Sequence, residues 1–178
     1  MRRPLADALL SLLLCSVVCG CNSDPGKGYT FASPHREGIE SIAIPMWTRS
    51  RNVYRREIEI RLTEAIIKRI ELDTPYKVTT KDRADTMLTG TLEGISQRPM
   101  SVDPNTGRTR EQEVIVTVSF RWSDLRTGEV LLDRERKMIR APGVYIPLAP
   151  FGEDFSQGCE EAINEAARRV VETLEADW

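Results

Sequence analysis

The clearest periodicity in the chain runs from Glu113 to Trp122. There Val114, Val116, Val118, Phe120 and Trp122 alternate with Ile115, Thr117, Ser119 and Arg121. A period of two puts each set on its own face, so the stretch predicts a long strand with one buried face. Arg126-Thr127-Gly128-Glu129 reads as the hairpin turn after it, with Gly where φ must be positive. Residues 130–139 are the returning strand. Upstream, Asp103-Pro104-Asn105-Thr106-Gly107 is a turn cluster. Residues 86–96 predict a strand with Leu88, Gly90 and Leu92 on one face, and the bare Gly90 leaves room for a helix to pack close over it. Residues 76–80 predict a short β-rich strand and residues 81–85 a charged turn. The first strand is residues 39–47, with Ile42, Ile44 and Met46 alternating. Pro45 lacks an N–H and suits an edge or the end of pairing.

Two stretches carry the helical period instead. Between 54 and 71, Tyr54, Ile58, Leu62, Ala65, Ile66 and Ile70 recur every three or four residues, and Asp73-Thr74-Pro75 stops the run. Residues 141–154, with three prolines and two glycines, read as a loop across the sheet. Asp154 then caps a helix running from 155 toward 178, with Phe155, Cys159, Ala162, Ile163, Ala166, Val170 and Leu174 as its stripe. The order β-α-β-β-β-β-α predicts an α+β two-layer sandwich. Both helices lie on one face of a mainly antiparallel sheet.

The N-terminus has neither period. Arg2 and Arg3 precede an apolar run over residues 8–18, the length of a signal-peptide core and too short to span a bilayer; Asp7 puts one charge at its edge. Val18-Cys19-Gly20-Cys21 ends it: a branched residue, a small residue, then cysteine. This resembles the lipobox of bacterial lipoproteins. The resemblance implies cleavage before Cys21, lipid on its sulfur and a membrane anchor, since two or more acyl chains hold a protein stably. By the same resemblance Asn22, where inner-membrane lipoproteins tend to carry Asp, points to the outer membrane. The expected organisation is a signal peptide over 1–20, a lipidated Cys21 and tether over 21–38, and one domain over 39–178. Within the tether, residues 22–28 are rich in Ser, Asp, Pro, Gly and Lys, as befits a linker.

Charge narrows the function classes. Removing residues 1–20 takes two arginines and one aspartate from 25 basic and 27 acidic residues, leaving 23 against 26, a net −3. A mixed surface of this kind argues against a nucleic-acid partner. Cys15 and Cys19 leave with the signal and Cys21 takes lipid, so Cys159 has no partner. Its place on the helix stripe predicts a buried small hydrophobe rather than a reactive thiol. The sequence holds no Gly-rich phosphate loop, no Cys/His cluster at metal spacing and no nucleophile elbow. Its one histidine, His35, sits in a loop segment, and Asp82 and Asp85 flank a turn. These features argue against an enzyme, and no cofactor or metal is implied.

Beyond the lipobox, the chain carries Gly28-Tyr29-Thr30-Phe31, then Ser41-Ile42-Ala43-Ile44-Pro45, then a helix with Leu62-Thr63-Glu64-Ala65. Ala84-Asp85-Thr86-Met87-Leu88-Thr89-Gly90 leads into a strand, and the hairpin from Phe120 to Val130 and a C-terminal amphipathic helix complete the set. In order and spacing the whole mature chain resembles the LPS-assembly lipoprotein family, LptE. The resemblance implies an outer-membrane lipoprotein that plugs an LptD-like β-barrel and helps pass lipopolysaccharide to the cell surface. The Ala-Asp-x-x-Leu-x-Gly stretch also recurs in lipoprotein activators of penicillin-binding proteins, which implies the alternative role. Lipopolysaccharide carries phosphates, which arginine pairs with bidentately. Two groups are candidates: Arg134, Arg136 and Arg140, evenly spaced on the last strand, and Arg49, Arg51, Arg55 and Arg56, around the loop between the first strand and first helix.

Overall fold

The structure is a computed structural model and describes residues 35–36, 38–135, 137–147 and 152–175. The proposed lipidation site, Cys21, and Arg136 lie outside the described residues.

The described chain folds as β1 (Ser41–Ala43), β2 (Thr48–Arg49), α1 (Ile58–Asp73), β3 (Lys77–Thr79), β4 (Thr86–Val102), β5 (Thr109–Asp124), β6 (Val130–Asp133), β7 (Ile139–Tyr145) and α2 (Phe155–Leu174). The seven strands form one sheet in the order β3-β1-β4-β5-β6, with β2 also on β4 and β7 also on β5. The expected α+β class holds, with a mixed sheet. The long ladders, β4–β5, β5–β6 and β5–β7, are antiparallel. The short ladders of β1 with β3 and β4, and of β2 with β4, are parallel. Parallel neighbours need a crossover, and α1 lies in the connection from β1 to β3.

The alternating residues Val114, Val116, Val118, Phe120 and Trp122 are all buried, at no more than 1% exposure, in a single cluster with Ile58, Leu62, Ile66 and Ile70 of α1 and the stripe of α2. Cys159 is 1% exposed on that stripe, where its spacing predicts it. A bulge between Leu92 and Gly94 shifts the alternation of β4, so Ile95 and Gln97 stand opposite Val116 and Val114. The Gln97 amide then donates to the Tyr145 hydroxyl at 2.9 Å.

Several expected boundaries move, each for a physical reason. The first strand is two pieces rather than one over 39–47. Pro45 falls in the gap with no N–H to give the ladder, and Trp47 turns inward, its N–H donating to Thr63 Oγ1 at 3.1 Å. The Trp47 indole fills the space over Gly90, 2.6 Å from where a Cβ would stand. It is therefore a side chain, not a helix, that lies over Gly90. The close helix approach is at Gly143, where a Cβ would overlap the Gly158 carbonyl oxygen and the Ala162 nitrogen. The first helix starts at Ile58, not Tyr54: Glu57 has φ 73°, outside helical space, and Tyr54 is 90% exposed. The β4–β5 hairpin runs past 96 to Val102. Beyond Leu92 no described strand lies on the outer side of β4, so Pro99 is tolerated.

The returning strand is likewise broken: β6 ends at Asp133, β7 begins at Ile139, and β7 occupies part of what the prolines and glycines of 141–154 mark as loop. Pro142 and Gly143 sit in this strand because β7 pairs with β5 alone, and Gly143 admits α2.

Both hairpin turns use one device. In Asp103-x-x-Thr106-Gly107 and Asp124-x-x-Thr127-Gly128, the aspartate carboxylate accepts from two backbone N–H groups, those of Asn105 and Thr106 or of Arg126 and Thr127. Each glycine has positive φ, 66° and 75°. These carboxyls sit below their ordinary range, Asp103 chiefly through Arg110 and Asp124 through the N–H groups of Thr127 and Arg126.

Candidate functional site

The two arginine groups fare differently. Arg134 comes just after β6, its N–H donating to the Phe120 carbonyl at 2.8 Å, while Arg140 lies in β7. The chain leaves the ladder between them, so they do not share one strand face as even spacing predicts. The Arg140 carbonyl accepts from Arg169 Nη1 at 2.6 Å, and across the sheet Arg121 already holds Asp133 at 3.3 Å and Glu135 at 3.0 Å.

The loop group is gathered further. Ser50 ties the loop to the sheet: its N–H donates to the Leu92 carbonyl at 2.9 Å and its carbonyl accepts from Val53 at 3.1 Å. Arg49 lies in β2, its Nε 3.8 Å from Glu59 Oε1 and its Nη1 donating to the Arg55 carbonyl at 3.2 Å. Arg51 is exposed in the turn, away from the cavity that its neighbours line. That cavity is open, of about 460 Å³, and is lined by Arg55 and Arg56, by Ile58 and Arg61 of α1, and by Asp154, Phe155, Ser156 and Cys159 at the start of α2.

Each charge here has a position set by its neighbours. The Arg55 guanidinium lies over the Phe155 ring, its carbon 3.6 Å from the ring centre, and no described residue accepts a hydrogen bond from its side chain. Arg61 pairs with Glu160. The Asp154 side chain accepts from the Gln157 N–H at 3.2 Å in a capping box, and so is committed to α2. Arg56 has no hydrogen bond or ion pair to any described residue. At the floor, burial pushes the Cys159 thiol up, while the nearby Arg61 and Arg55 charges pull the other way. The thiol therefore stays protonated at neutral pH, and the charged groups of the lining are the arginines and the capping Asp154.

Arg61, Phe155 and Cys159 were not legible as members of this site. Arg61 reads as an ordinary polar position beside the stripe. The start of α2 is about a hundred residues downstream, and only the tertiary fold brings it there. Among the described residues no group of three His, Cys, Asp or Glu side chains stands where a metal ion could be held, and no helix is long and apolar enough to cross a membrane.

Solved structures of other bacterial proteins share this fold. A hypothetical protein from Chlamydia trachomatis superposes with TM-score 0.53 at 10% identity, covering 76% of this chain and 95% of that one. Lipoprotein B from Nitrosomonas europaea gives 0.51 at 15%, covering 83% and 89%. A PelC dodecamer from Paraburkholderia phytofirmans gives 0.50 at 16%, covering 82% and 96%. At such identities the likeness is one of fold. A comparison with curated proteins found no match. The family described as LptE, lipopolysaccharide-assembly, matches residues 39–177, which takes in every described strand and helix, and the chain belongs to that family.

Proposed function

We propose that the protein is an outer-membrane lipoprotein, anchored through Cys21 on the periplasmic face, that acts without catalysis in lipopolysaccharide assembly as the partner and plug of an LptD-like β-barrel. The observation that carries this reading is the family match over residues 39–177, joined to the lipobox that precedes it. The fold supports it. The middle of the outer face of β4 and β5, between Met87 and Ile115, is polar, with Thr89, Thr91, Glu93, Thr117, Arg121 and the buried Ser119. The Glu93 carboxylate accepts from the Ser119 hydroxyl at 2.6 Å. A surface of this kind suits the polar lumen of a barrel.

The test is affinity purification of the full-length lipoprotein from detergent-solubilised membranes. Co-isolation of a large β-barrel protein together with lipopolysaccharide is expected. Co-isolation of a penicillin-binding protein in place of the barrel would overturn the reading in favour of an activator role.

A further inference from the structure

The cavity between the start of α1 and the start of α2 holds three guanidinium groups in a structure that pairs many of its other arginines with acids. Arg121, Arg168, Arg169, Arg110 and Arg98 all sit against carboxylates. At the cavity, Arg61 alone is paired, Arg55 is held by an aromatic face, and Arg56 touches no acid among the described residues. The one carboxylate in the lining, Asp154, caps α2. The lining therefore carries uncompensated positive charge. α1 starts beside it at Ile58, with no side-chain cap on its first-turn N–H groups and with the carboxylates of Glu57 and Glu59 close by in the chain. The size is that of a small-molecule site, within the range of roughly 300–1,000 Å³, and larger than a bare phosphate ion requires.

We propose that this cavity binds a phosphorylated sugar, with Arg55 and Arg56 taking the phosphate oxygens. Arg55, held over the Phe155 ring at the rim of the cavity, has a guanidinium fork that can pair bidentately with a phosphate. Arg56, with no partner among the described residues, closes on the same group. Arg61 is a positioning residue, tied by Glu160 so that the α1 and α2 ends of the cavity stay together. The phosphorylated sugar has two available sources, the headgroup of lipopolysaccharide or a soluble sugar phosphate. The first rests on the proposed function; the pocket itself does not.

The experiment uses the full-length lipoprotein in a neutral detergent and calorimetric titration with four probes: glucose 1-phosphate, glucose, lipopolysaccharide, and lipopolysaccharide treated with phosphatase. The proteins are the parent, the double variant Arg55→Gln/Arg56→Gln, and Arg108→Gln in the distant hairpin turn as a charge control. The double variant is expected to bind lipopolysaccharide at least tenfold more weakly, and the control within twofold of the parent. Phosphatase treatment is expected to cost the parent the same factor and the double variant nothing further, because both changes remove one contact. Equal losses on phosphatase treatment in parent and double variant would overturn the site.

Lipopolysaccharide bound by parent and double variant alike overturns the pocket and leaves the assembly role standing. Glucose 1-phosphate bound by the parent and not by the double variant, with lipopolysaccharide bound by neither, upholds the pocket and removes the assembly reading. Should the double variant melt below the parent, Arg56→Gln alone serves, since that side chain supports no other described group. It is expected to weaken binding severalfold, and parental binding by a folded Arg56→Gln protein would refute the proposal.

Discussion

Gly143 is the point where a single methyl group tests the packing of the whole molecule. A Cβ there would stand less than 3.0 Å from both the Gly158 carbonyl oxygen and the Ala162 amide nitrogen, and 3.1 Å from Ala162 Cα. All three are backbone atoms of α2, so no side chain can swing aside. Restoring ordinary contact requires α2 to move off the sheet by about 1 Å, and a gap of that size forfeits a quarter to a half of each dispersion contact it opens. The helix buries nine residues, from Gly158 to Leu174, and several flank the displaced turn. Overpacking of this kind costs about 1–3 kcal/mol, and with a rigid backbone obstacle Gly143→Ala is expected at the upper end, about 3 kcal/mol. The thermal midpoint should fall by roughly 6–12 °C for a chain of this size.

Two controls share the chemistry and lack the backbone obstacle. A Cβ at Gly94 meets nothing within 4 Å, so Gly94→Ala should stay within about 0.5 kcal/mol of the parent. At Gly158 the nearest atom is Cδ1 of the buried Tyr145 ring, 2.6 Å away, a side chain rather than backbone, and alanine favours the helix by up to about 1 kcal/mol. Gly158→Ala should therefore cost less than Gly143→Ala. Urea unfolding monitored by circular dichroism gives all three values. A loss below about 1 kcal/mol for Gly143→Ala, or an equal loss for Gly94→Ala, would refute the reasoning.

Cys21→Ala should leave an unprocessed precursor or a soluble protein, read by membrane fractionation and mass of the N-terminus; normal membrane partition of that variant would sink the anchor. The Glu165 carboxyl is pulled from its ordinary 4.5 to about 2, chiefly by a hydrogen bond from Arg168, with Arg169 adding a second. A depressed folded value means the stabilisation is complete above pH 4.5 and disappears as pH falls through 2. Solvent screening holds it to about 1 kcal/mol or less. Stability curves of Glu165→Gln and the parent should differ at pH 6 and converge near pH 2, and a constant gap would contradict the assignment. Cys159, buried and with its thiol pushed up, should react with a maleimide only as the protein unfolds; rapid labelling under native conditions would show that the stripe is not closed there.

The strand β5, both helix stripes and both hairpin turns were legible in the sequence, because each arises from a local rule. A period of two or of 3.6 assigns a face, and Asp-x-x-Thr-Gly closes its own turn with its own carboxylate. The α+β class comes from the order of those elements. Three things did not. The first is where the returning strand breaks. The even spacing of Arg134 and Arg140 persists in the sequence whether or not the chain stays in the ladder, and only pairing with β5 decides that it does not. The second is which glycine meets a helix: Gly90 and Gly143 look alike in the chain, and the fold puts Trp47 over one and α2 over the other. The third is the cavity. Arg55 and Arg56 stand beside Phe155 only because both helices start at the same end of the sheet. That juxtaposition joins residues about a hundred positions apart, and no short-range pattern encodes it. Periodicity and turn chemistry act over a few residues, whereas a site made where two elements meet is fixed by the packing of the whole core.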